Sequence, residues 1–150
     1  RGNLMPGGAG VEYYFGYQLP QNDLVCEDFR SRDKSWDYCR IALTFFQDNA
    51  IRFWEMKNAD ALVGNQQNDN SKYCFAKPGE LFLVYLPNGG TADLDVGPTA
   101  QTFEVSWFNP RAGGELKRGD IAQITGPGKV AIGSAPTESN QDWVVLVRRK

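Results

Sequence analysis

A carboxylate set among aromatic rings is the arrangement in this sequence with the most chemistry in reach. Glu12 follows a glycine-rich turn (Gly7, Gly8, Gly10) and precedes Tyr13 and Tyr14, with Tyr17 close behind. Such a setting can build a sugar subsite, and paired carboxylates can hydrolyse a glycosidic bond when their separation suits the attack. Asp23, Glu27 and Asp28 could supply the second acid; the alternative is a simple ion pair between Glu12 and Arg30 or Arg32. Flat aromatic surfaces are the second resource. Tyr73, Trp107, Phe108 and Trp143 are the candidates, and Phe108 is the one expected to stay open, because it breaks the alternation of its strand and adjoins a turn.

Other chemistries are excluded or weak. The sequence contains no His, so a Ser-His-Asp triad, a Cys-His pair, His-ligated zinc and imidazole acid–base work are all out of reach within it. The glycine-rich stretches lack the Lys-Ser/Thr of a phosphate-binding loop and the spacing of a dinucleotide fingerprint. Asp93 and Asp95 share one side of a short strand, but no calcium-loop pattern follows them, and a solvated face accounts for them. No cofactor and no metal site are expected. Three cysteines, Cys26, Cys39 and Cys74, cannot all pair within the chain; reduced, buried thiols are expected, with one disulfide and a free thiol as the alternative.

The elements that must position these groups divide at a polar loop. Over 31–49 one helix is predicted, capped by Ser31 or Asp33. Its apolar stripe runs through Trp36, Cys39, Leu43 and Phe46, widened by Ala42 and Phe45. Ile51–Met56 is dense in large apolar groups and is expected to pack as a short helix or turn. Residues 64–72, GNQQNDNSK, form the boundary loop, giving segments 1–63 and 72–150. Beyond it come strands near 73–77, 80–86, 91–96, 102–108, 114–118, 120–125, 129–132 and 142–149, separated by Gly/Pro turns. That spacing predicts a mainly β fold, an antiparallel β-sandwich of about eight strands.

Two of these strands, Leu81–Leu86 and Trp143–Val147, are apolar on both sides, where a half-wet antiparallel strand would alternate. Both are expected at the centre of the sheet, with the aromatic stripe of the helical segment covering their outer side. In Thr102–Phe108, by contrast, Phe103, Val105 and Trp107 fall on one side, which puts Trp107 in the core. The chain is long enough for a real core, and its net charge of −2 with interspersed signs argues against nucleic acid or an anionic membrane as partner. No apolar run approaches the length of a membrane span.

Tyr73-Cys74-Phe75-Ala76, Leu81–Leu86 with Pro87-Asn88-Gly89-Gly90, Leu94-Asp95-Val96, the Trp107–Gly114 turn and Asp142–Leu146 follow one another in an order and spacing that resemble a known family. It is the family labelled putative collagen-binding domain of a collagenase. The resemblance implies a C-terminal β-sandwich appended to a glycoside-hydrolase-like (β/α)8 barrel. Met5–Tyr14 is similar to a last barrel strand and loop, and 33–48 to a final barrel helix. On this footing the chain is expected to be a non-catalytic accessory module, stabilising a catalytic domain or binding carbohydrate. Part of a hydrolase cleft and a collagen-like adhesion module are the alternatives. Glu12, Tyr13, Tyr14 and Phe108 are the candidate substrate-binding residues, with no catalytic residue assigned. The resemblance also implies a missing upstream barrel as partner and a location outside the cytoplasm; an exposed barrel-facing surface could make a homo-oligomer.

Overall fold

A computed structural model describes residues 33–67 and 69–150. Its elements are α1 (Asp33–Asp48), β1 (Lys57–Asn58), β2 (Tyr73–Lys77), β3 (Leu81–Leu86), β4 (Asp93–Asp95), β5 (Thr102–Phe108), β6 (Gln123–Thr125), β7 (Lys129–Ala131) and β8 (Trp143–Arg149). Short 3-10 turns cover Phe53–Glu55 and Asp60–Val63. Six strands make one antiparallel sheet in the order β1-β2-β3-β8-β5-β6, and β4 and β7 pair as a second, two-stranded sheet. The fold is the mainly β sandwich expected, with α1 laid on the outer side.

The two strands without alternation are the sheet's centre. β3 pairs with β8 from Leu81↔Arg148 to Leu86↔Trp143, and β5 flanks β8 from Phe103↔Arg149 to Phe108↔Val144. Each contributes to two cores, one on either side of the sheet. The inner core joins Phe82, Val84, Leu86, Val145 and Val147 to Leu94 and Ile132 of the smaller sheet layer. The outer core joins Leu83, Leu146, Phe75 and Phe108 to Ile41 and Phe45 of α1, and to Ile51 and Met56 beyond it. Burying each such side chain contributes roughly 1.5–3 kcal/mol, so the helix and the sheet hold each other as partners.

The inward face of α1 differs from the expected stripe. Ile41 and Phe45 are buried, whereas Trp36 is 45% and Leu43 64% exposed. Both sets satisfy a 3.6-residue period; the sheet's outer surface selects the Ile41–Phe45 line because Phe45 lies against Phe108, ring centroids 4.3 Å apart. The strand expected at 114–118 is reduced to a single bridge, Trp107↔Lys117. Gly113 and Gly114 have φ of 71° and 90°, a left-handed backbone that ends extended pairing.

Buried polar side chains tie the short elements to the sheet. Asp60 accepts the Cys74 backbone N–H at 2.6 Å and the Asn58 amide at 2.8 Å. Asn65 shapes the polar loop by donating to the carbonyls of Asp69 and Lys72 at 2.9 and 2.6 Å. Cys39 and Cys74 are free thiols; Cys26 lies outside the described residues. No helix among the described residues is long and apolar enough to cross a membrane.

Candidate functional site

Of the residues singled out for chemistry, Glu12, Tyr13 and Tyr14 lie outside the described residues. Phe108 is within them, and it is not open: it is 4% exposed. The reason is the helix, since Phe108 is on the outer side of β5, where Phe45 of α1 covers it. Trp107 and Trp143 are fully buried and meet edge to face at 6.2 Å. Tyr73 is half-buried and stacked on Tyr85 at 6.2 Å, and its hydroxyl donates to Asn70. The Asp95 carboxylate accepts the N–H of Gly97. Among the described residues no group of three or more acidic or thiol side chains is placed to hold a metal.

The Asn109–Gly114 turn is a clamp. The Asn109 side-chain oxygen accepts the N–H groups of Arg111 and Ala112 at 2.9 and 3.1 Å, the local bond that makes Asn a turn former. Arg111 is thereby aimed at the start of β8. Its guanidinium donates to the carboxylate and carbonyl of Asp142 and to Glu138, and lies 5.8 Å over the Trp143 ring. The Tyr85 hydroxyl donates to the same Asp142 carboxylate. These contacts lock β3, β5 and β8 together at one end.

Besides Trp36 and Tyr38 on α1, an open aromatic pair lies in Ile51–Met56. Ile51 and Met56 are buried and anchor the segment. Between them the 3-10 turn swings Phe53 and Trp54 outward, to 41% and 69% exposure. The rings of Phe46, Phe53 and Trp54 form an edge-to-face series, with centroid separations of 5.8 and 5.3 Å, a geometry aromatic rings favour. Arg52 and Glu55 stand on either side of the exposed pair and are joined at 3.1 Å.

Those two residues also line an open groove of about 510 Å3. Met56 and Leu81 form its apolar part; Arg52, Lys77, Arg148, Arg149 and Lys150 bring positive charge, and Glu55 and Glu80 negative. Lys77 bridges the carboxylates, at 2.9 Å from Glu55 and 2.7 Å from Glu80. The hydrogen bonds from Lys77 and then Arg52 lower the pKa of Glu55, and the bonds to Glu80 and Glu55 raise that of Lys77. Both shifts favour the charged forms, so Glu55 is suited to holding cations and not to donating a proton. The arrangement sets an exposed aromatic pair, its rings at 78° to one another, between two residues that line a charged groove.

Reading the sequence alone assigned all of Ile51–Met56 to packing and missed this. A usable signal was present: an aromatic pair between Arg52 and Glu55, with the aliphatic residues at the two ends of the segment free to anchor it.

A family model described as "Putative collagen-binding domain of a collagenase" matches residues 59–148. No curated protein matches the chain. Among solved structures, a glycoside hydrolase family 5 protein from Bacteroides vulgatus ATCC 8482 is similar at 12% identity with a TM-score of 0.58, over 77% of this chain and 24% of that one. A second structure, titled as a glycoside hydrolase, is similar at 13% identity with a TM-score of 0.62, over 89% of this chain and 30% of that one. The chain thus spans less than a third of the length of either.

Proposed function

The chain belongs to the family described as the putative collagen-binding domain of a collagenase, and we propose that it is a non-catalytic accessory module of a glycoside-hydrolase-like protein that engages carbohydrate through Phe53 and Trp54. The exposure of Trp54 carries this reading. A large aromatic ring 69% open and braced edge to face by a second ring has the shape and chemistry to stack on the apolar face of a sugar. The fold likeness to glycoside hydrolases over most of this chain and a minor part of theirs supports the accessory role. An upstream (β/α)8 barrel, a cleft wall built from Glu12, Tyr13 and Tyr14, and a location outside the cytoplasm belong to the same proposal.

Affinity electrophoresis of the 150-residue chain through gels containing soluble polysaccharides tests it. Retardation by at least one polysaccharide is expected, with affinity falling about tenfold or more in Trp54→Ala, the loss typical of a central aromatic anchor. Retardation unchanged by Trp54→Ala would remove the platform. Binding to a collagen-like triple-helical peptide and to no glycan would turn the reading toward the fibrous ligand that the family's name suggests.

A further inference from the structure

α1 is apolar in two directions. Ile41 and Phe45 are buried in the outer core. Trp36 and Leu43 stand about 140–180° round the helix from them, at about 100° per residue, and are 45% and 64% exposed. Cys39 and Phe46, both half-buried, complete a line with them at i, i+3, i+7 and i+10. Arg40 borders this line and is tied to Asp37 at 3.1 Å. A helix that only shields a sheet needs polar residues on its far side, not Trp and Leu. Large apolar groups aligned along one open face mark a contact.

We infer that this stripe is the seat of residues 1–32 of the same chain, which lie outside the described residues and enter α1 at Asp33, one turn ahead of Trp36. Val11, Phe15, Leu24, Val25 and Phe29 give that segment the apolar groups the stripe can take. Its length suffices: residues 16–32 alone span up to about 56 Å when extended, more than twice the roughly 24 Å of α1. The tether decides between occupants. A covalently attached segment meets the stripe at a roughly millimolar effective concentration, far above that of a second copy in dilute solution. Trp54 is two rings further along, past Phe46 and Phe53, and the inference does not rest on its role as a sugar platform.

Chymotrypsin digestion of the 150-residue chain tests this, because Tyr13, Tyr14, Phe15, Tyr17 and Phe29 supply cleavage points in the segment. Cleavage there should be about tenfold or more slower than in a synthetic peptide of residues 1–32, since a docked segment is cut only while it is open. Leu43→Lys sets a charge beneath the segment and should speed cleavage about fivefold or more. Thr44→Lys, the same charge on the neighbouring exposed position, should not. Both positions are exposed, so the urea midpoint of the sheet should hold in each variant, which separates undocking from unfolding. Trp54→Ala should leave digestion unchanged, and Leu43→Lys should leave polysaccharide retardation unchanged, so either reading can fail without the other. Cleavage as fast as in the free peptide overturns the inference, as does digestion indifferent to Leu43→Lys. A dimer in sedimentation that Leu43→Lys dissolves also overturns it, by giving the stripe to a second copy.

Discussion

On the inner side of the six-stranded sheet, Phe82, Phe103, Trp107 and Trp143 are at most 1% exposed; on the outer side the aromatic layer runs from Phe108 and Phe45, each at 4%, to Phe53 at 41% and Trp54 at 69%. Both sides draw on β3, β5 and β8. The inner side is closed by the β4–β7 sheet and the Asp60–Val63 turn, elements that have no aromatic ring left to show solvent. Among the described residues the outer side is closed by one helix and the segment around a 3-10 turn, and a single rod cannot cover a twisted sheet and also bury its own flank. The difference teaches where recognition can arise here: in the layer whose cover is narrower than what it covers.

The largest test of that contrast is Trp143→Ala. It empties a fully buried site against Trp107 at the centre of the sheet, and a loss of about 3–5 kcal/mol is expected in urea unfolding. A loss below about 1 kcal/mol would mean that the inner side is not the fold's anchor. Next comes Phe45→Ala, expected to cost about 3 kcal/mol, the low end for such a truncation, because the site lies near the edge of a cover that can settle. Hydrogen exchange distinguishes the two sides: α1 amides should lose protection while those of β3 and β8 keep most of theirs. Equal loss across all three would show one cooperative unit with no separable outer layer.

The third test is a pH scan of the inner side alone. Burial, with a smaller contribution from Asp60, pushes the Cys74 thiol up to about 12 from 9.0. Below pH 9 the thiol keeps its proton folded or unfolded, and its contribution to stability is fully present. Between about 9 and 12 the unfolded thiol ionises and the folded one does not, so stability falls as pH rises, by up to about 1.4 kcal/mol per pH unit. Cys74→Ala should flatten that slope in alkaline unfolding curves; an unchanged slope would assign it to other groups.

How much of this the sequence disclosed follows from the same contrast. β2 and β5 keep their expected bounds, and β3 and β8 stand at the centre because a strand apolar on both sides has nowhere else to go. Trp107 was legible through the period of two in β5. Phe108 was not: the residue beyond an alternating run can be open or covered, and only the position of α1 decides. Trp54 failed in the opposite sense, since an aromatic residue in a dense apolar segment looks like core until the 3-10 turn shows that Ile51 and Met56 alone face inward. Local pattern specifies which residues share a side; it does not specify how wide the covering layer is.

The strand order has a consequence for how the molecule is made. β8 follows every other strand in the chain and yet lies between β3 and β5. Before β8 has been made, the strands of this sheet can form only two separate groups, β1-β2-β3 and β5-β6. Each group then offers an open row of backbone donors and acceptors beside bare aliphatic surface, the kind of edge to which another nascent chain can attach. Long-range pairing of this sort is also slow. The growing polypeptide is therefore most exposed to wrong partners in the interval before β8 leaves the ribosome, and an arrest or truncation ahead of Trp143 would leave two half-sheets with no strand to join them.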